Sequence, residues 1–186
     1  VQGNIYQEQV RVIADLLESY KDRWNWNKPK VEDYKRIRDA KEWDNHHKVH
    51  ISDYCLYDEE KKIHYLIELK IWWDLDNKKA RSEKEAIFEQ FAILSNSLEK
   101  DAMIECKFAT AYNRFWEWNP WKQERVRQFF SDDELLIWQD FWNFICKDPN
   151  GFDMVIEAYT ESAPIITQAL DEIKKLYLKE QTWNND

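Results

Sequence analysis

The sequence predicts an α/β domain built on a small mixed sheet, and three observations carry that prediction. Two strand-like segments, KVHISDYCLYD (48–58) and IHYLIELKI (63–71), flank the polar turn DEEKK. A long helical stretch covers about 77–99, and AMIECKFATAY (102–112) then reads as a further strand. A strand, a long helix and a second strand make a crossover unit, so 63–71 and 103–111 should be parallel neighbours in one sheet.

The elements follow in order. NIYQEQVRVIADLLESYKDR (4–23) has apolar or aromatic residues at 5, 10, 12, 13, 16, 17 and 20, which is helical spacing. VEDYKRIRDAKEWD, after Pro29, is a shorter and more polar helix. From 48 to 58 the period changes to alternation and strand formers dominate. Segment 63–71 is apolar on both faces, as a central strand is. Asp74 or Asp76 can cap the helix that follows. After the strand at 103–111 comes the loop NRFWEWNPWKQ. Helices are expected over 122–130, 132–146 and 152–180, the last interrupted at Pro164. No repeat or low-complexity linker divides the chain, so residues 1–186 read as a single domain, one that lacks an N-terminal piece if the initial Val marks a fragment.

Composition narrows the function classes. Hydrophobic residues are 44% and charged residues 34% of the chain, as in ordinary globular proteins. No apolar run reaches the roughly 20 residues of a membrane span, and no signal-peptide pattern opens the sequence. A cytoplasmic protein is expected. Cys55, Cys106 and Cys146, an odd number lying in apolar segments, read as reduced core residues. A formal charge of −9 argues against loose, non-specific nucleic-acid binding, though a local basic face remains compatible with it.

One constellation carries chemistry. If the hairpin is symmetric about residues 60 and 61, Asp53 faces Glu68 across the ladder, with Cβ atoms only ~5 Å apart. Lys70, two positions beyond Glu68, shows the same face. Asp58 sits at the turn and would pair near residue 63, away from the glutamate. Two carboxylates so close repel unless a cation lies between them. Mg²⁺ suits carboxylate and water oxygens. Lys70 would hold a phosphate oxygen or help orient and deprotonate a water. The bland alternative is an edge strand with three charged groups in solvent.

Asp53, a hairpin and Glu68-Leu69-Lys70 match the Asp…(Asp/Glu)-x-Lys pattern of the PD-(D/E)xK nuclease superfamily, with Ser52 in place of the usual proline. The longer run YLIELK…DLDNKKARSEKEA…EQ…IL, followed by ATAYNRF and PWKQERV, resembles the TdeIII-type group of type II restriction endonucleases across most of the chain. The resemblance implies a restriction-endonuclease-like core and a homodimeric, Mg²⁺-dependent enzyme. Its substrate would be a short, specific double-stranded DNA site, GGNCC-like in that group, guarded by a cognate DNA methyltransferase. It also implies that Asp53 and Glu68 are metal ligands and Lys70 the catalytic lysine. A repair or structure-specific nuclease on the same fold, and a DNA- or protein-binding module that has lost activity, are the alternatives.

Further candidates are weaker. Glu8 on the first helix could approach the metal, and Asp74 is a cap or a second acidic group. Lys78, Lys79, Arg81 and Lys84 open the long helix, whose N-terminal amides favour phosphate. Glu83 and Glu85 interrupt them, so a solvated face is the competing reading. Asn113, Arg114, Lys122, Gln123, Arg125 and Arg127 flank the loop after the third strand, and these side-chain types read base edges. His46, His47, His50 and His64 have no cysteines at zinc spacing and read as polar strand flanks.

The tryptophans pose a separate question. They number 11 and the glycines only 2, and together they match the average glycine share of about 7%. Several stand in turn-like places where tryptophan is a poor choice. The restriction-enzyme group resembled here carries a glycine pair where this chain has Trp72 and Trp73. A gene whose host reads UGA as glycine, translated with the code that reads UGA as tryptophan, would account for Trp24, Trp26, Trp72, Trp73, Trp116, Trp118 and Trp138. Trp121 and Trp142 look genuine. Alternatively the tryptophans are real and form a stacking surface.

Overall fold

The computed structural model describes residues 1–21, 27–42, 44–70, 75–113, 121 and 124–183, with side chains up to 177. The chain forms two compact units, 1–141 and 142–186. The first holds both sheets. β1 (Gln2–Tyr6) and β2 (Asn45–Val49) make an antiparallel pair. β3 (Tyr54–Asp58), β4 (Ile63–Lys70), β5 (Met103–Thr110) and β6 (Leu135–Ile137) form a four-stranded sheet in that order. β3 runs antiparallel to β4, while β5 and β6 run parallel to their neighbours. The helices of this unit are α1 (Gln7–Ser19), α2 (Val31–Asp39), α3 (Asn77–Ser97) and the short α4 (Glu124–Arg127). α5 (Gln139–Cys146) begins at the boundary between the units, and α6 (Gly151–Trp183) makes up most of the second. The architecture is a mixed α/β arrangement with a hairpin and a β-α-β crossover, as the strand–helix–strand pattern predicts.

The core explains the crossover. Leu66 on β4 and Phe108 on β5 pack with Ile87, Phe88 and Phe91 of α3, joined by Leu16, Leu17 and Tyr20 of α1 and Ile37 of α2. Alternate β4 residues, Leu66, Glu68 and Lys70, therefore share the α3 side. Asp76 caps α3 by accepting a 2.8 Å bond from the Lys79 amide.

Several sequence expectations change. Residues 4–6, expected to open the first helix, instead belong to a strand, Gln2–Tyr6, because it pairs with 45–49. The predicted strand 48–58 is two strands, divided at 50–53, each serving a different sheet. Helix 122–130 shortens to Glu124–Arg127, with Lys122 and Gln123 outside the described residues. The predicted helix 132–146 is a 3-10 turn, then β6, then α5. Leu135-Leu136-Ile137 gains a sheet partner in β5, and that pairing overrides local propensity. α6 is continuous through Pro164. Of the cysteines only Cys106 is buried; Cys146 is intermediate, and Cys55 is exposed on β3, so it is not a core residue. All three are free thiols.

Candidate active site

The β3–β4 register pairs Tyr54 with Ile67 and Asp58 with Ile63. Asp58 turns into the hairpin, where its Oδ1 accepts from the amides of Glu60 and Lys61 at 3.0 and 3.1 Å. One step beyond Tyr54, Asp53 comes opposite Glu68. Its Oδ2 accepts a 2.8 Å bond from the Leu69 amide, which fixes the carboxylate at the end of β4. The segment before it is tied to α3: Gln90 donates to the Ile51 carbonyl at 3.1 Å, and Lys48 reaches Glu89 at 2.7 Å.

Glu68 is 8% exposed. Burial raises its pKa, the Lys70 ammonium opposes that, and the Asp53 and Glu83 carboxylates add to the rise. Lys70 Nζ donates to Glu68 Oε1 at 2.5 Å and lies 3.0 Å from Glu83 Oε2 on α3. Burial pulls the Lys70 pKa down, but the bonds to Glu68 and Glu83 outweigh it and leave it above the ordinary lysine value. The lysine is thus an ammonium clamped between two carboxylates from two elements. Glu83 did not emerge from the sequence as part of this group, since it lies 13 residues beyond Lys70 on another element. Its signal was there in a weak form: a carboxylate in the second turn of the crossover helix, on the side that returns over β4.

The donor set can be tested against a magnesium ion. Asp53 and Glu68 offer only oxygens, and they come from neighbouring strand ends. Magnesium is commonly held by one or two carboxylates completed by waters and substrate phosphates. Among the described residues no three His, Cys, Asp or Glu side chains gather as a complete cage. A two-carboxylate site that takes its remaining oxygens from DNA fits what is present.

Other candidates lie elsewhere. Glu8, on α1, pairs with Arg11 at 3.3 Å and is not among the groups around Lys70. Lys78 and Lys79 are exposed in the first turn of α3. Lys84 is not a phosphate-facing lysine. It is fully buried, bonded to Glu134, and 3.2 Å from the Tyr34 hydroxyl. Burial lowers its pKa. Asn113 follows β5 and is partly buried, and Arg125 is exposed on α4. Arg127 pairs with Asp132. Asp74, Arg114, Lys122 and Gln123 lie outside the described residues, as do Trp24, Trp26, Trp72, Trp73, Trp116 and Trp118. Trp138 is described, and its φ is 54°.

Among the described residues no helix is long and apolar enough to cross a membrane. No curated protein and no solved structure matches the chain. A family model does, over residues 1–163, which includes both strands of the hairpin, the crossover helix and every candidate catalytic residue. With most of its length matched, the chain belongs to the HinfI family of type II restriction endonucleases.

Proposed function

We propose that this chain cleaves both strands of a short, specific DNA site in a Mg²⁺-dependent hydrolysis, working as a two-fold dimer in a restriction–modification system with a cognate methyltransferase. The reading makes the first unit a PD-(D/E)xK nuclease. The observation that carries it is the meeting of Asp53 and Glu68 at the end of one hairpin with Lys70 on the Glu68 carboxylate. Asp53 and Glu68 would hold the magnesium ion. When bound, the ion supplies positive charge that offsets the charge developing on the phosphate and leaving oxygen.

The chain's own groups do the rest. Asp53, pinned by the Leu69 amide, and Glu68, buried on the sheet, keep their oxygens in place without reorganising. Lys70, held by Glu83 as well as Glu68, presents a compact cation to a non-bridging phosphate oxygen and to the attacking water. Glu83 acts through Lys70 as a positioning residue. Exposed Lys78 and Lys79 at the α3 N-terminus supply phosphate contacts. Asn113, Arg114, Lys122, Gln123 and Arg125 supply base readout. The likeness to the TdeIII-type group makes a GGNCC-like site the first to try.

Plasmid digestion tests the reading. With Mg²⁺ the protein should give discrete fragments, whose sequenced ends define the site, and Lys70→Ala should lower the rate by at least a hundredfold. Ragged or structure-dependent cutting would place it among repair nucleases. No metal-dependent cutting by the natural sequence would make it a binding module.

A further inference from the structure

α6 is an apolar surface waiting for a partner. From Ile156 to Tyr177 every residue is exposed, yet the helix is not polar. Phe152, Ile156, Tyr159, Ala163, Ile166, Leu170, Ile173 and Tyr177 follow one another at alternating steps of four and three. That is a heptad repeat sustained along one stripe of the helix. Within it Ile166 is 51%, Leu170 60%, Ile173 62% and Tyr177 62% exposed. Helices in proteins draw most of their stability from packing an apolar face, and a contiguous apolar face of this length marks an interface.

From this stripe we infer that α6 pairs with the α6 of a second copy of the chain, as an antiparallel two-helix coil about a two-fold axis between Ala163 and Ile166. Three features choose that occupant. The stripe is self-complementary when reversed: Ile156 meets Ile173, Tyr159 meets Leu170, Phe152 meets Tyr177, and the small Ala163 meets Ile166 at the axis. Charge complementarity selects the direction. The first half of 151–177 carries Asp153, Glu157 and Glu161 and no lysine, whereas in the second half Asp171 and Glu172 are balanced by Lys174 and Lys175. Reversal sets Asp153 of one copy beside Lys174 of the other, while parallel pairing would stack the acidic halves together. The opposite flank of the stripe is apolar or small throughout, with Val155, Ser162, Ala169 and Leu176. Covering the exposed apolar residues would remove roughly 800 Å² per copy, the size of a standard stable interface. The pairing names the face for the dimer of the nuclease reading but rests on the helix alone.

Sedimentation of the full chain at micromolar concentration tests it without reference to DNA cleavage. The natural sequence should sediment at twice the chain mass. Ile166→Glu with Leu170→Glu should weaken association at least a hundredfold while the far-ultraviolet signal of the first unit persists. For direction, a spin label at Met154→Cys, off the stripe and level with Lys175 of the other copy, in a chain whose Cys55 and Cys146 are serine, should report about 32 Å between copies, 21 residues of helix rise. A monomeric natural chain overturns the proposal, and so does a dimer indifferent to the two glutamates. A label separation under about 20 Å, as parallel helices with axes 8–10 Å apart would give, overturns the antiparallel arrangement.

Discussion

At the scale of single residues, Asp53 and Glu68 meet because they stand equally far from the turn of one hairpin. A symmetric turn sets which residues face each other, and the observed register of Tyr54 with Ile67 extends that symmetry to them. Glu83 was not legible, because the meeting of α3 with Lys70 depends on how the crossover helix rotates over the sheet, which spacing alone does not determine. Trp138 bears on the codon question. Its φ of 54° lies in the left-handed region, where a bulky side chain is disfavoured by about 1–2 kcal/mol and glycine is not. Trp138→Gly should therefore raise the urea midpoint by the equivalent of about 1 kcal/mol, and the gene should carry UGA at this codon. A UGG codon there would retire the misreading at that position. The thiols offer a second check. Exposed Cys55 should alkylate readily at pH 8, while Cys106, whose pKa burial pushes up to about 12, should stay protected until the chain unfolds. Mass mapping of the alkylated peptides reads both outcomes.

At the scale of elements, the apolar strands and the crossover helix announce themselves, whereas the short pieces do not. β1, β2 and β6 are five, five and three residues long, and each exists because a distant segment pairs with it. Local periodicity carries no information about such partners. Lys84 makes the same point from α3: in the sequence it joins a basic helix start, but in the fold it points into the core. There it bonds Glu134 just before β6 and lies over the rings of Phe88 and Phe130, with centroids at 4.3 and 5.0 Å. This buried pair ties α3 to the edge of the sheet. Removing one partner leaves an uncompensated charge, so Glu134→Ala should lower stability by about 3–5 kcal/mol in urea melts. Replacing Lys84 by Met together with Glu134 by Leu should recover most of that loss. A single variant that costs under about 1 kcal/mol would show that water reaches the pair.

At the scale of the whole molecule, charge and burial decide how the protein meets its conditions. A chain with nine excess negative charges approaches a polyanion, so on the proposed nuclease reading the Asp53–Glu68 pair would repel DNA until a cation covered it. Chelation by EDTA should therefore weaken specific DNA binding as well as stop cutting, and a gel-shift titration with and without Mg²⁺ reads the difference. Alkaline stability follows from three weak acids in the core of the first unit, on buried Cys106 and Tyr20 and half-buried Tyr34. Burial holds the Cys106 thiol at about 12, and burial with neighbouring acids holds the Tyr20 and Tyr34 phenols well above their ordinary range. In the unfolded chain these groups ionise from pH 9 to 10 upward, while in the folded chain they keep their protons. The folded state then binds more protons than the unfolded one, so stability must fall as pH rises through that window, by about 1.4 kcal/mol per pH unit for each group. Urea midpoints measured from pH 7 to 11 should be flat to about 9 and then drop with steepening slope. Cys106→Ala should soften the onset near pH 9, where the free thiol ionises first, and leave the later fall that belongs to the two tyrosines. A midpoint constant to pH 11 would mean that these side chains reach solvent in the folded protein, and the core built around α3 would need redrawing.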